Sequence, residues 1–194
     1  TAAVLDPPSD CPTLMKNAKA AIATADANLA AANNDMETTV PQLEAQVAAA
    51  QQAEDQANSQ YTASLATFNS DTNKQNADNA TLTNAQANLT NIQKECAGPA
   101  PPPDCSDLIS QAQQTVSDDT STFQTDQEQV AEDAQTVQST QEFLNEKIAA
   151  YNAAVTNKAD KVASLQAAID AAVKAKDDAV ANYNKIAAEC APPV

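Results

Sequence analysis

The sequence contains no histidine, no tryptophan and no arginine, and its only glycine is Gly98. Without histidine, the commonest metal ligand and the commonest neutral-pH general base are both missing. Aromatic residues make up 3% of the chain, and the apolar 43% is mostly alanine. A compact core needs bulky side chains, so this composition argues against a single globular core and suits a long, thin, alanine-rich seam. No apolar run reaches the about 20 residues of a membrane-spanning helix. The net charge is −16. That balance disfavours nucleic acid, which requires a basic surface, and disfavours anionic membrane surfaces. No secretory leader pattern is visible, and the start Thr1-Ala2-Ala3 does not indicate whether one was removed.

Four cysteines are present: Cys11, Cys96, Cys105 and Cys190. They form no Cys-x-x-Cys pair and have no histidine to complete a metal site, so they read as two disulfides. Disulfides in turn imply an oxidising compartment, and the expected location is secreted or cell-surface.

What the sequence does contain is periodicity. From Ser106 to Glu189 there is neither glycine nor proline, and large apolar residues return every seventh position: Ile109, Val116, Phe123, Val130, Val137, Leu144 and Tyr151. A second line runs Ile148, Val155, Val162 and Ile169, continued by Tyr183 and Cys190 and interrupted by Lys176. Such lines, offset by alternating steps of three and four, make a coiled-coil seam. The first half carries Met15, Ala18, Ile22, Ala25, Leu29, Ala32, Met36, Val40, Leu43, Val47 and Ala50, then Ala57, Tyr61, Leu65, Phe68, Leu82, Leu89 and Ile92. The run Met36–Val40–Leu43 inserts one extra four-residue step, a stutter.

Three interruptions break this regularity. Pro41 removes one helical hydrogen bond at a cost of about 3 kcal/mol. Because the seam continues past it, the spacing predicts a kink near 38–41, with a true loop there as the alternative. The stretch Asn69 to Asn79 is rich in Asn and Asp, which compete for backbone hydrogen bonds, and is a second candidate loop. Its polar seam positions are Thr72, Gln75 and Asn79, set opposite Asp126, Thr122 and Asp119. Finally, Gly98 followed by Pro99 is expected to end the helix with a left-handed residue.

The chain is two copies of one pattern. Each opens with prolines and Asp-Cys (Pro7 to Cys11; Pro102 with Asp104-Cys105) and closes with Glu-Cys-Ala (Glu95 to Ala97; Glu189 to Ala191). The cysteine spacing is the same in both, since 96 − 11 and 190 − 105 each equal 85. The closing Ala191-Pro192-Pro193-Val194 looks like the start of another linker, which raises the expectation of further copies in a longer array.

The fold expected is all-α: a long antiparallel two-helix coiled coil, a helical hairpin rod with a Pro-rich turn and disulfide clamps. Its parts are an extended lead-in at 1–10, a first repeat at 11–96 forming a long helix kinked near 38–41, a Pro-rich turn at 97–104, a second long helix at 105–190 and a linker-like tail at 191–194. Each helix would be about 125 Å long at 1.5 Å per residue. Cys96 then pairs with Cys105 across the turn and Cys11 with Cys190 at the open end, and facing residues have numbers summing to 201. The competing fold is two tandem short helical bundles closed by Cys11–Cys96 and Cys105–Cys190. It needs turns near Ala53 and Lys147, where the sequence holds only good helix formers. The hairpin register also sets small against large: Ala18/Tyr183, Leu29/Ala172, Ala32/Ile169, Ala50/Tyr151, Ala57/Leu144 and Leu89/Ala112. It sets Glu54 against Lys147 and Asp107 against Lys94, and less favourably Lys16 against Lys185.

No catalytic constellation emerges. A two-helix rod is expected to have no pocket, and Asp118-Asp119 and Asp177-Asp178 read as solvated faces. No cofactor or metal is expected, and no Ca²⁺ loop is present. Asn79-Ala80-Thr81 and Asn88-Leu89-Thr90 match the N-glycosylation pattern, at the frequency chance gives in a chain so rich in Asn and Thr. The expected role is a structural or adhesive protein used as a stalk, spacer or fibre unit and not an enzyme; the alternative is an extracellular module that recognises a partner protein or glycan. Partners are self-association or another extracellular protein, with no nucleic acid and no membrane insertion. In dilute solution a monomer is expected. Salt would promote weak pairing through the alanines outside the seam near Cys11 and Cys190.

Overall fold

The structure, a computed structural model, describes residues 10–191. The lead-in expected at 1–10 and the tail at 191–194 therefore lie outside the described residues, apart from Asp10 and Ala191. Two helices account for almost all of the rest: α1, Cys11–Cys96, and α2, Cys105–Glu189. They form an antiparallel helical hairpin with disulfides Cys11–Cys190 and Cys96–Cys105. The tandem-bundle fold is excluded, because both helices run unbroken through 53 and 147.

The backbone carbonyl of Asp10 opens α1 by accepting from Thr13 and Leu14, and that of Asp104 opens α2 by accepting from Asp107 and Leu108. Gly98 departs from expectation, since no glycine has a positive φ. Instead α1 closes with the Ala97 amide donating to Gln93 and the Gly98 amide to Glu95, a tightened last turn. A Cβ at Gly98 would lie 3.1 Å from the Glu95 carbonyl oxygen, so glycine serves here for room and not for handedness.

Both candidate loops are helical. Pro41 sits inside α1 without ending it. Within 69–79 the Thr72 hydroxyl donates back to the Phe68 carbonyl at 2.7 Å, a bond made inside the helix in place of competition against it.

The hairpin comprises two compact units: residues 10–51 with 150–191, and residues 52–149. In unit 1 every seam residue named above on α1 from Met15 to Ala50 is at least partly covered, with Ala18, Ala25 and Leu43 buried. The register is fixed by the Cys11–Cys190 disulfide and by ion pairs Lys176–Asp26 at 2.8 Å and Lys158–Glu44 at 3.0 Å. The covered residues of α2 from 150 to 176 are Tyr151, Ala154, Lys158, Val162, Leu165, Ile169, Ala172 and Lys176. They contain two successive four-residue steps at Ala154–Lys158–Val162. On the register set by Lys158 and Glu44 that stutter reaches to the level of Val40, where the α1 stutter ends, so the two extra steps adjoin there.

This corrects the second apolar line. Val155 in unit 1 is 40% exposed and Ile148 in unit 2 is 36% exposed. Extending the heptad backwards from Val162 carried the phase through the stutter, where it does not hold; Lys147, Tyr151, Ala154 and Lys158 take the covered places. Long lysine stems suit this, lying along the partner helix with the ammonium at the edge.

Unit 2 is closed by Cys96–Cys105. Its buried residues are Ala57, Leu82 and Ala112, together with Asp126 and Asp133. The expected Glu54–Lys147 and Asp107–Lys94 pairs are not formed. Lys147 lies 3.1 Å from Glu146 and 4.7 Å from the centre of the Phe143 ring, while Lys94 and Asp107 both point to solvent.

Candidate functional site

Chemistry in this molecule concentrates in unit 2, in a polar section of its seam. The covered residues of α1 run Ser64, Asp71, Asp78 and Ala85 at heptad spacing, and those of α2 run Thr140, Asp133, Asp126 and Asp119. Ser64 and Thr140 hydroxyls hydrogen-bond across the seam at 2.8 Å. One heptad on, the Asp71 carboxyl faces that of Asp133, and one heptad further the Asp78 carboxyl faces that of Asp126. In this part of the seam one ladder of facing pairs has numbers summing to 204, interleaved with the 201 set.

The only cation among these four carboxyls is Lys74. Its ammonium donates to Asp126 and lies 3.5 Å from Asp78. Gln129 donates to Asp133 at 3.1 Å. Asp126 and Asp133 are 6% and 8% exposed, and the Oδ2 atom of each has no hydrogen-bond partner in the protein. A buried polar atom without a partner is costly, so this layer is under-satisfied. An open groove of about 300 Å³ lies over it, lined by Asp71, Lys74, Thr125, Asp126 and Gln129. The expectation of a hairpin with no pocket fails at this place.

The groups perturb one another. The hydrogen bond with Asp133, then desolvation and the Asp133 charge, raise the Asp71 carboxyl above the ordinary range. The hydrogen bond with Asp126 likewise raises Asp78. Asp126 is lowered by Asp78 and then by Lys74, and Lys74 is raised chiefly by Asp126. Paired carboxyls divide their acidities in this way when one proton serves both.

The sequence pointed to Thr72, Gln75 and Asn79 opposite Asp126, Thr122 and Asp119. Of these, Thr72, Gln75, Asp119 and Asp126 are covered, while Asn79 and Thr122 face solvent. Asp71, Lys74, Asp78 and Asp133 were missed. Aspartates at seven-residue spacing on both helices were the available signal. Among the described residues no group of three or more acidic or cysteine side chains is arranged to hold a metal ion. No helix among the described residues is long and apolar enough to cross a membrane. At the two glycosylation-pattern sites, Asn79 and Asn88 are exposed, while the Thr81 and Thr90 hydroxyls donate to the carbonyls of Ala77 and Gln86. All four cysteines are in disulfides and none is free.

No protein-family model matches this chain, and neither a curated protein nor a solved structure is similar to it.

Proposed function

We propose that the chain is a non-enzymatic structural or adhesive element, secreted or held at a cell surface, working as a stalk, spacer or fibre unit. The observation that carries this reading is the helical hairpin with one disulfide in each unit. Disulfides persist in oxidising compartments, and they hold helices together where little apolar area is buried. The groove over the aspartates is open and lacks a nucleophile paired with a base, which favours a structural role over catalysis.

Immunogold electron microscopy of the source cells tests it. Label concentrated on surface fibres or stalks, with both disulfides intact in the extracted protein, is the expected outcome. A cytosolic distribution with reduced cysteines would overturn it.

The alternative, a module that recognises a partner protein or glycan, draws support from apolar side chains left open. Phe143 and Ile148 in unit 2 are 39% and 36% exposed, and Val173 in unit 1 is 40% exposed. Surface cross-linking that recovers one partner species, lost on Phe143→Ser, would favour this reading over the first.

A further inference from the structure

Two carboxyl pairs face each other one heptad apart across the seam of unit 2, and a single lysine stands among them, bonded to one pair only. The charged groups turned toward this layer are Asp71, Lys74 and Asp78 on α1 and Asp126 and Asp133 on α2. Asp119 lies one further heptad along α2 and is half-buried. With all four central carboxyls ionised, Lys74 balances one charge and three remain. Lys74 is also placed unevenly, donating to Asp126 and lying 3.5 Å from Asp78. The Asp71–Asp133 pair has no cation hydrogen-bonded to it. Its one further partner is Gln129, and Oδ2 of the 8%-exposed Asp133 has none. A proton from solvent supplies the missing donor. Carried by Asp71 it bonds to Asp133, cancels the repulsion and links α1 to α2.

We propose that this layer is a proton-operated clasp: in acid a shared proton joins Asp71 to Asp133 and tightens unit 2, and its release toward neutral pH leaves two facing carboxylates that loosen the seam there. The sign follows from linkage. A carboxyl raised in the folded chain stabilises it below the unfolded-state value of 3.8 and loses that contribution as pH rises through its own, higher value. At Asp78 and Asp126 the shifts oppose each other, one raised and one lowered, so the net effect comes from the raised Asp71. Unit 1 has no facing pair of this kind among its described residues; its cross-seam ion pairs join lysine to acid.

The test uses the full chain with both disulfides intact. Asp133→Asn keeps the shape and gives Asp71 a permanent N–H donor, so the clasp stays closed at every pH. Asp55→Asn, at an exposed site of unit 2, removes one charge without touching the layer. In the native chain the thermal midpoint should be higher at about pH 4.5 than at about pH 7.5, by roughly 2–4 °C beyond the shift seen in Asp133→Asn. Asp55→Asn should behave like the native chain. A native chain whose midpoint is no higher in acid, or Asp133→Asn with the same pH dependence as Asp55→Asn, would overturn the proposal. Carboxyl carbon NMR of the native chain gives a readout independent of any variant's folding. Asp71 should titrate above the exposed aspartates of the same molecule, and titration together with them sinks the idea.

Discussion

In unit 1 the covered stripe of α1 from Met15 on is Met15, Ala18, Ile22, Ala25, Leu29, Ala32, Met36, Thr39, Val40, Leu43, Val47 and Ala50, with Thr39 its one polar residue and no charged group. In unit 2 the same stripe includes Ser64, Asp71, Thr72, Gln75 and Asp78 between its apolar residues. Both units keep heptad geometry, so helix pairing does not require an apolar filling at every layer. What changes is the source of stability. Unit 1 depends on alanine and leucine packing, with lysines such as Lys158 and Lys176 reaching acids at the rim. Unit 2 depends on packing at Ala57, Leu82 and Ala112, on cross-seam hydrogen bonds and on its disulfide. Where polar residues replace methylenes, about 0.8 kcal/mol of burial is forgone for each.

The disulfides offer the strongest way to sharpen this contrast. Cys11–Cys190 joins residues 179 apart, whereas Cys96–Cys105 joins residues 9 apart. Loop-closure entropy then gives about 5 kcal/mol for the first and about 3 kcal/mol for the second. Urea unfolding of Cys11→Ser/Cys190→Ser should show the larger loss, and an equal or smaller loss than Cys96→Ser/Cys105→Ser would contradict the assignment. Next come paired substitutions of opposite sign. Leu43→Ala should cost about 2 kcal/mol, because Leu43 is 7% exposed. Thr72→Leu should add about 1 kcal/mol to unit 2 by putting carbon where a hydroxyl now folds back on Phe68. If both variants lose stability alike, unit 2 is already well packed and the contrast fails.

Hydrogen exchange reads the difference without mutation. Amides of 69–79 and 117–127 should exchange faster than those of 22–36, and the reverse order would refute the looser-half reading. The two units should also differ in acid, where only unit 2 has the raised Asp71, while sharing an alkaline response. In unit 1, Asp26 raises Lys176 and Asp178 raises Lys174. A raised lysine stabilises the fold below its unfolded value of 10.5, and that contribution is lost as pH climbs through the higher folded value. Lys74 in unit 2 is raised as well, by Asp126, so alkaline softening should reach both units. The smallest effect is expected for Glu44→Gln. Its partner Lys158 and Glu44 itself are 34% and 58% exposed at the side chain, so a change of less than about 1 kcal/mol should be found.

Much of this architecture was legible in the residues. The heptads, the equal cysteine spacing and the absence of breakers at 53 and 147 were enough for the hairpin and both disulfides. What could not be read came from two physical sources. The heptad phase of Val162 and Ile169 does not continue back through the stutter, where Lys158 takes a covered place, so Ile148 and Val155 fall on the exposed face. The aspartate layer was missed because an antiparallel seam interleaves two registers. Asp71 lies between Val130 and Asp133, and only the first of these partners belongs to the set summing to 201. Glycine misled for another reason: Gly98 stands at a helix end, where left-handed backbone is common, but local crowding by Glu95 is what it meets.

The thinness of burial has a calorimetric consequence. Among the described residues only six hydrophobic side chains are buried, three of them in each unit, and four of the six are alanines. Unfolding such a structure exposes little new apolar surface, and it is apolar hydration that raises heat capacity. The increment per residue should therefore fall below the ordinary 12–15 cal/mol/K, giving a flat stability curve with shallow decline in the cold and a broad melting transition. Temperature would then be a weak lever on this molecule, and reducing agent a strong one.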